Sequence, residues 1–317
     1  MINTLTLNPA VDLVYFIPHW EPGITIRSSQ PLETLGGKGT HVSVNLRKMG
    51  IPSRAFGIGR GSIGTRIVSE LETLGVESSF LLRDAGQSRT NIILVEEETK
   101  ICTMIAERGV KLSNEDTEEI VSLLSRKISS GDYLVISGDA SNSPDPNIYN
   151  RILDALKEKD LKILIDASGE TLKKSLAASP YLLKPNRDEL EYIVGEKLNT
   201  EQEVIRGIRS LEKYQIEIIA VSLGGDGAIV KMGENYYRTT PPKVSVFNTV
   251  GAGDCFLSGL IYGIENGLSQ EDTLRYATAV SAATVASPLS VGYDEALAES
   301  LIDQAIVEKI ISERRYS

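Results

Sequence analysis

Asn248-Thr249-Val250-Gly251-Ala252-Gly253-Asp254 runs directly into the apolar stretch Cys255-Phe256-Leu257-Ser258-Gly259-Leu260-Ile261. A turn of small residues feeding a helix gathers unpaired backbone N–H groups at the positive end of the helix dipole, a site suited to an anion. A carboxylate at Asp254 is out of place in a pocket that only holds phosphate, because like charges repel. It fits if Asp254 takes a proton from a hydroxyl while the N–H groups stabilise charge developing on a transferred phosphoryl group.

Outward from this turn, strand-like and helix-like segments alternate. The β-rich runs are Leu5–Asn8, Arg54–Ile58, Tyr133–Ser137, Lys162–Asp166, Tyr181–Lys184 and Ile218–Ser222, with helical patterns such as Ile63, Ile67, Leu71 and Leu74 between them. This pattern predicts an α/β fold, a mostly parallel sheet with helices on both faces. Two further helices are expected at about Glu271–Ala286 and Asp294–Ile311. Two regions break the alternation. Tyr15-Phe16-Ile17 and Thr25-Ile26-Arg27, within about 13–33, read as one strand-turn-strand unit; Thr90–Val95 and Ile101–Ala106, within about 89–106, read as another. Together they suit either a small lid over a cleft or an edge extension of the main sheet.

Composition narrows the class. The chain has 317 residues, 41% of them hydrophobic, and a formal charge of −10. That charge argues against a broad nucleic-acid footprint, while leaving room for a small basic pocket. Cys102 and Cys255 are the two cysteines, too few for a disulfide framework or a cysteine metal site. No apolar run reaches bilayer-spanning length, and Met1-Ile2-Asn3-Thr4 lacks a basic leader. A cytoplasmic enzyme is the expectation, with no nucleic-acid and no membrane partner.

Several motifs have a functional and a plain reading. Gly36-Gly37-Lys38-Gly39 lets a substrate approach the backbone and places a cation beside it, or is a strand-to-helix turn. It is not a Walker A loop, because Gly39 follows Lys38 where Ser or Thr belongs. Asn186 and Glu189, three apart after Pro185, suit a hydrated magnesium ion or a capping box. Ser222-Leu223-Gly224-Gly225-Asp226-Gly227 suits nucleotide phosphates or a tight hairpin. Arg27 and Arg89, in the two hairpins, can clamp a phosphate or simply be solvated. Gly59-Arg60-Gly61-Ser62-Ile63-Gly64 matches the dinucleotide fingerprint, with Asp84 twenty positions past Gly64, and is the case for a nicotinamide oxidoreductase. Cys255 at a helix start is either an activated thiol or a small core residue.

The order of Asp12, Gly36–Gly39, Asn186–Glu189, Ser222–Gly227 and Gly251–Asp254 resembles the ribokinase-like (PfkB) carbohydrate kinases over nearly the whole chain. The resemblance implies a three-layer α/β/α domain spanning 1–317 with a β-sheet lid, an ATP donor and Mg2+. It implies Asp254 as catalytic base and Gly251, Ala252 and Gly253 as N–H donors of the anion hole. Asn186 and Glu189 would organise magnesium through water, and Lys184, Asn186, Ser222, Gly224 and Gly227 would bind the nucleotide.

Thr6-Leu7-Asn8-Pro9-Ala10-Val11-Asp12 and Ser88-Arg89-Thr90-Asn91 resemble the hexose-phosphate branch, 1-phosphofructokinase and tagatose-6-phosphate kinase. On that resemblance Asp12 holds sugar hydroxyls. Lys38 and Arg89, with Arg27 beside them, face the acceptor's phosphate. Gly37, Gly39 and His41 belong to the same acceptor site, and fructose 1-phosphate is the first-choice substrate. Asp166-Ala167-Ser168-Gly169 is a further match without an assigned role. Three stretches depart from the family's pattern, and on the resemblance all would lie near the acceptor side: His41 in place of an asparagine, Ser137-Gly138-Asp139-Ala140-Ser141, and Ala106-Glu107-Arg108-Gly109. They leave a non-catalytic sugar- or nucleotide-binding regulator as a further alternative. The uncovered lid edges are compatible with a homodimer and equally with a monomer.

Overall fold

The computed structural model describes residues 1–138 and 140–310. In chain order its strands begin with β1 (Ile2–Thr6), β2 (Ala10–Ile17), β3 (Leu32–Gly36), β4 (Ser53–Arg60), β5 (Glu77–Arg83), β6 (Arg89–Glu96) and β7 (Cys102–Ile105). They continue with β8 (Tyr133–Gly138), β9 (Lys162–Ala167), β10 (Leu182–Leu183), β11 (Ile218–Ser222), β12 (Ala228–Met232), β13 (Asn235–Thr240) and β14 (Ile306–Ile310).

The main sheet has ten strands in the order β14-β13-β12-β11-β10-β9-β8-β1-β4-β5. From β5 through β11 neighbouring strands are parallel, whereas β12, β13 and β14 add antiparallel pairs at one edge. Side chains on a strand alternate between faces, and here the alternation fills two cores. Leu134, Ile136, Ile165, Leu183, Ile219 and Val221 pack on one face with Ile120, Ile152, Leu172 and Leu190 from helices. Tyr133, Val135, Leu164, Leu182, Ile218 and Ala220 pack on the other with Val42, Leu46, Leu257, Leu260 and Leu274. A sheet buried on both faces by helices is the three-layer α/β/α arrangement.

The two segments that broke the alternation form a separate four-stranded sheet, β3-β2-β6-β7. Its central pair is parallel, Ala10 opposite Arg89 through Ile17 opposite Glu96, with an antiparallel strand on each side. The first hairpin differs from expectation. Thr25-Ile26-Arg27 forms no strand, and the partner of β2 is Leu32–Gly36. Arg27 lies in an exposed irregular stretch. Val14, Ile93 and Val95 of this sheet pack with Val250, so the small sheet leans on the segment entering the glycine turn.

A second correction concerns the C-terminal end. The expected helix over Asp294–Ile311 stops at Leu301, a short 3-10 turn follows, and Ile306–Ile310 pairs with β13 as an edge strand. The β-branched Ile306 and Val307 gain a sheet partner there, which outweighs a helical pattern of moderate strength. Residue 311 and the departure at Asp139 lie outside the described residues. Among the described residues no helix is long and apolar enough to cross a membrane.

Candidate active site

The site gathers where the parallel strands end, the edge at which open α/β sheets present ligands. Asp166 lies near the end of β9, Lys184 and Asn186 just past β10, and Ser222 at the end of β11. Facing them is the N-terminus of the helix Ala252–Glu265.

Gly251 caps that helix with φ 84°, a left-handed conformation, and a Cβ there would overlap the carbonyl oxygen of Ser290. Glycine is therefore demanded by both backbone and space. Asn248, fully buried, steadies the approach by accepting from Val250 N at 3.0 Å. Lys184 lies over the turn: a Cβ on Gly253 would stand 3.3 Å from its Nζ. A helix N-terminus and an ammonium thus lie together, an arrangement whose charge suits an anion.

Asp254 occupies the first turn of the same helix and is 6% exposed. Its Oδ2 lies 2.7 Å from His41 Nδ1, and His41 Nε2 lies 2.8 Å from the Leu35 carbonyl. His41 differs from the expectation of a sugar contact, because both of its ring nitrogens are used within the protein.

Asp12 sits on β2 with Oδ1 accepting from Asn91 Nδ2 at 2.8 Å. A Cβ on Gly36 would overlap Asp12 Oδ1, so the glycine run makes room for this carboxylate. Gly37 caps the helix Lys38–Lys48 with φ 103°, and a Cβ on Gly39 would overlap Thr6 Oγ1 on β1. These glycines act by close packing of helix, strand and Asp12. Burial raises Asp12's carboxyl above the usual range, despite opposition from His41, Asn91 and Arg89.

Lys38 is paired with carboxylates of the protein rather than standing as a lone cation. Its Nζ lies 2.8 Å from Asp166 Oδ1 and 3.7 Å from Glu189 Oε1. Burial works against its charge, but Asp166, Glu189 and Asp254 outweigh it and raise its pKa. Asp166, with no exposed surface, also pairs with Lys184 at 3.1 Å. Burial opposes the ionised form of Asp166, yet Lys184 and Lys38 hold it below the ordinary carboxylate range. Sequence reasoning gave Asp166 no role. The available signal was an acidic residue at the carboxyl end of a predicted parallel strand.

Arg89 is buried, and its guanidinium donates to the carbonyls of Asn8 and Glu107. The Asn186–Glu189 pair forms the capping box: Asn186 Oδ1 accepts from Glu189 N, and Glu189 Oε2 from Asn186 N, both at 2.8 Å. Glu189 Oε1 stays directed toward Lys38. Cys255 is a core residue, its thiol pushed up to about 12 by burial.

Beyond the turn opens a pocket of about 570 Å³ reaching from Ser222, Gly224 and Gly227 to Ala252 and Gly253. The hairpin reading of Ser222–Gly227 holds, because the turn joins antiparallel β11 and β12, and the same turn lines this pocket. Gly224 and Gly227 have φ of 62° and 89°. The apolar wall, with Val244, Val246 and Val285, was absent from the sequence reading, since these residues carry no motif.

The dinucleotide fingerprint has a structural explanation. Gly59 is the penultimate residue of β4 and Gly64 sits in the following helix, where a Cβ on Gly64 would overlap Gly59 backbone atoms. The helix start is occupied by the chain itself, with Gln87 Oε1 accepting from Ile63 N at 3.2 Å. These glycines serve a close strand–helix crossing.

Comparison with known proteins agrees with this geometry. Residues 5–292 match the family described as pfkB family carbohydrate kinase. The chain is 33% identical over 285 residues to 1-phosphofructokinase of Escherichia coli K12, covering 90% of each protein. It is 31% identical over 282 residues to tagatose-6-phosphate kinase of Staphylococcus epidermidis, covering 88% of this chain and 90% of that one. Its fold matches the crystal structure of Escherichia coli phosphofructokinase-2 in complex with substrates and products, with TM-score 0.88, 24% identity, and coverage of 96% and 98%. The family match over residues 5–292 and the relatives over 90% of the chain exclude the oxidoreductase reading: the chain belongs to the pfkB family of carbohydrate kinases, phosphotransferases that act on a sugar hydroxyl.

Proposed function

We propose that the chain transfers the γ-phosphoryl group of ATP to a hydroxyl of a ketohexose phosphate, with fructose 1-phosphate as the first acceptor and tagatose 6-phosphate as the second. The observation that carries this reading is the pairing of Asp254 with the Gly251–Gly253 turn and Lys184 at one helix start. ATP lies in the pocket between Ser222–Gly227 and Ala252–Gly253, its phosphates directed toward the turn. The acceptor lies between Asp12 and Asp254. As the acceptor oxygen bonds to the γ-phosphorus, its proton passes to Asp254 and the bond from phosphorus to the β,γ-bridging oxygen breaks, leaving ADP. Backbone N–H groups and Lys184 stabilise the charge on the group in flight.

Magnesium fits the residues present. Asn186 and Glu189 supply hard oxygen donors of the kind a largely hydrated Mg2+ takes, and Glu189 Oε1 is the carboxylate oxygen left outside the capping box, 3.7 Å from Lys38. When bound, the ion would neutralise charge on the ATP phosphates. Among the described residues there is no cluster of three acidic, His or Cys side chains that could hold a metal ion.

In the same proposal the chain works in the cytoplasm as a single domain, and the four-stranded sheet acts as the lid. Support comes from β7, whose Cys102 Sγ lies 3.7 Å from Asn248 Oδ1 before the glycine turn. A homodimer is also proposed, covering the exposed Ile101, Met104 and Ile105 at that sheet's edge.

The test is ADP release with magnesium and ATP across sugars, sugar phosphates and nucleosides. Fastest turnover with fructose 1-phosphate is expected. A preference for tagatose 6-phosphate would exchange the two acceptors, and no release with any acceptor would favour a non-catalytic regulator.

A further inference from the structure

His41 is the buried group that the transfer chemistry leaves unused. Its ring is held at both ends, by the Leu35 carbonyl at Nε2 (2.8 Å) and by Asp254 Oδ2 at Nδ1 (2.7 Å). A carbonyl only accepts, so Nε2 carries a proton. An ionised carboxylate also only accepts, so a second proton must lie between Nδ1 and Oδ2. The pair is therefore imidazolium with carboxylate, or neutral imidazole with carboxylic acid, and in both forms its net charge is zero. Without that proton a nitrogen lone pair would face a carboxylate oxygen at 2.7 Å.

The surroundings favour the protonated pair. Asp254 approaches from the helix Ala252–Glu265 and Asp12 from β2. Arg89 of β6 opposes Asp12, and Lys38 on His41's own helix acts on Asp254. Burial disfavours a charged ring, but the hydrogen bond and charge of Asp254, then the charge of Asp12, outweigh it and raise the pKa of His41.

We propose that His41 is a positioning residue for the proton-accepting carboxylate: through one shared proton it clamps Oδ2 of Asp254 and leaves Oδ1 to receive the proton of the acceptor hydroxyl. This rests on the assignment of Asp254 as base. The acceptor's O–H bond breaks toward Oδ1 as the new O–P bond forms and the β,γ-bridging O–P bond breaks. The shared proton stays between the two side chains, and the added proton leaves to solvent after the products. Loss of the shared proton at high pH sets the lone pair against Oδ2 and turns Oδ1 from the acceptor, so turnover falls on the alkaline side.

Two measurements test this. The chain has two histidines, His19 and His41, so ring-nitrogen NMR of the 15N-labelled full chain is readily assigned with a His41→Gln variant. His41 should stay doubly protonated well above the ordinary imidazole pKa of about 6.5. Asp254→Asn should abolish that protection. Titration of His41 at or below the ordinary value, or one unchanged in Asp254→Asn, overturns the shared proton.

The second measurement is kcat against pH. His41→Gln keeps a donor that cannot titrate; it should lower kcat by roughly tenfold, the scale of one lost positioning bond. It should move KM for the sugar phosphate far less, and should lose the alkaline fall of the wild type. An alkaline limb that coincides in both proteins overturns the positioning role. Near-normal turnover in Asp254→Asn would remove the base assignment and with it the catalytic part of the proposal. The shared proton is judged separately, from the ring nitrogens of the unmodified chain.

Discussion

The two sides of Asp254 are built from different materials. On the side proposed for the nucleotide the chain offers backbone: the Ser222–Gly227 and Gly251–Gly253 turns, with an apolar wall, around an open pocket of about 570 Å³. On the side proposed for the acceptor it offers interlocked side chains. Asp12 is tied to Asn91, His41 to Asp254 and Leu35, and Arg89 to the carbonyls of Asn8 and Glu107. Backbone N–H groups hold phosphates whatever side chains the turn carries, so that side tolerates change wherever its glycine conformations survive. Buried side-chain networks are specific because each group is oriented by its neighbours, and one replacement leaves another group unpaired. Of the departures from the family pattern, His41 belongs to this second network, which is where the proposed function would write a difference in sugar.

The comparison can be broken by variants that act across both sides. Asp254→Asn should have the largest effect, cutting kcat by about a thousandfold while the Kd for ATP stays within a few-fold. Loss of ATP binding, measured by calorimetry, would mean that the helix start itself had collapsed. Lys184→Met should follow, with kcat down by about a hundredfold, since a donor at a site of developing charge is worth about that much. It also removes one partner of the buried Asp166, so the midpoint of urea unfolding should fall as well. An unchanged kcat would place the transferred group elsewhere.

Smaller effects should sort by side. Asp12→Asn should raise KM for the sugar phosphate by roughly tenfold with little change for ATP, as expected for loss of one charge-assisted contact. Gly227→Ala should raise KM for ATP several-fold and leave the sugar phosphate nearly untouched. Its φ of 89° and the overlap of a new Cβ with the Thr239 carbonyl would strain the turn by about 1–3 kcal/mol. Steady-state kinetics with each substrate varied in turn reads both. If Asp12→Asn moved the ATP constant, or Gly227→Ala the sugar constant, the division would fail.

Last is the small sheet. Ile105→Ser, a surface change on β7, should shift the elution volume of a homodimer toward the monomer and alter kcat by less than about twofold. Monomeric wild-type protein in light scattering would remove the proposed dimer.

Periodicity made the parallel strands legible, because residues buried on both faces form short apolar runs whatever their partners. Thr90–Val95 and Ile101–Ala106 were legible as a hairpin for the same local reason, and they pair as β6 and β7. The parallel contact between β2 and β6 was not, since it joins segments about 80 residues apart through backbone bonds that leave no mark on residue type. The end of the chain misled in the opposite sense. Ile306–Ile310 has a helical look on its own and becomes a strand because β13 has an open edge.

For the site, the sequence by itself determined the parts that backbone conformation dictates: glycines at Gly227 and Gly251, where φ is positive and a Cβ would strike a carbonyl, and an acid one helical turn beyond the second. Only the tertiary structure decided the partners of the charged groups. Lys38 faces Asp166 and Glu189, Asp166 lies between two lysines, and His41 bonds to Asp254 from a position 213 residues away. A glycine's requirement is local and so can be read in the chain. The partner of a buried charge is set by whichever distant group the fold brings within about 3 Å in a low-dielectric interior, and the order of residues does not record that distance.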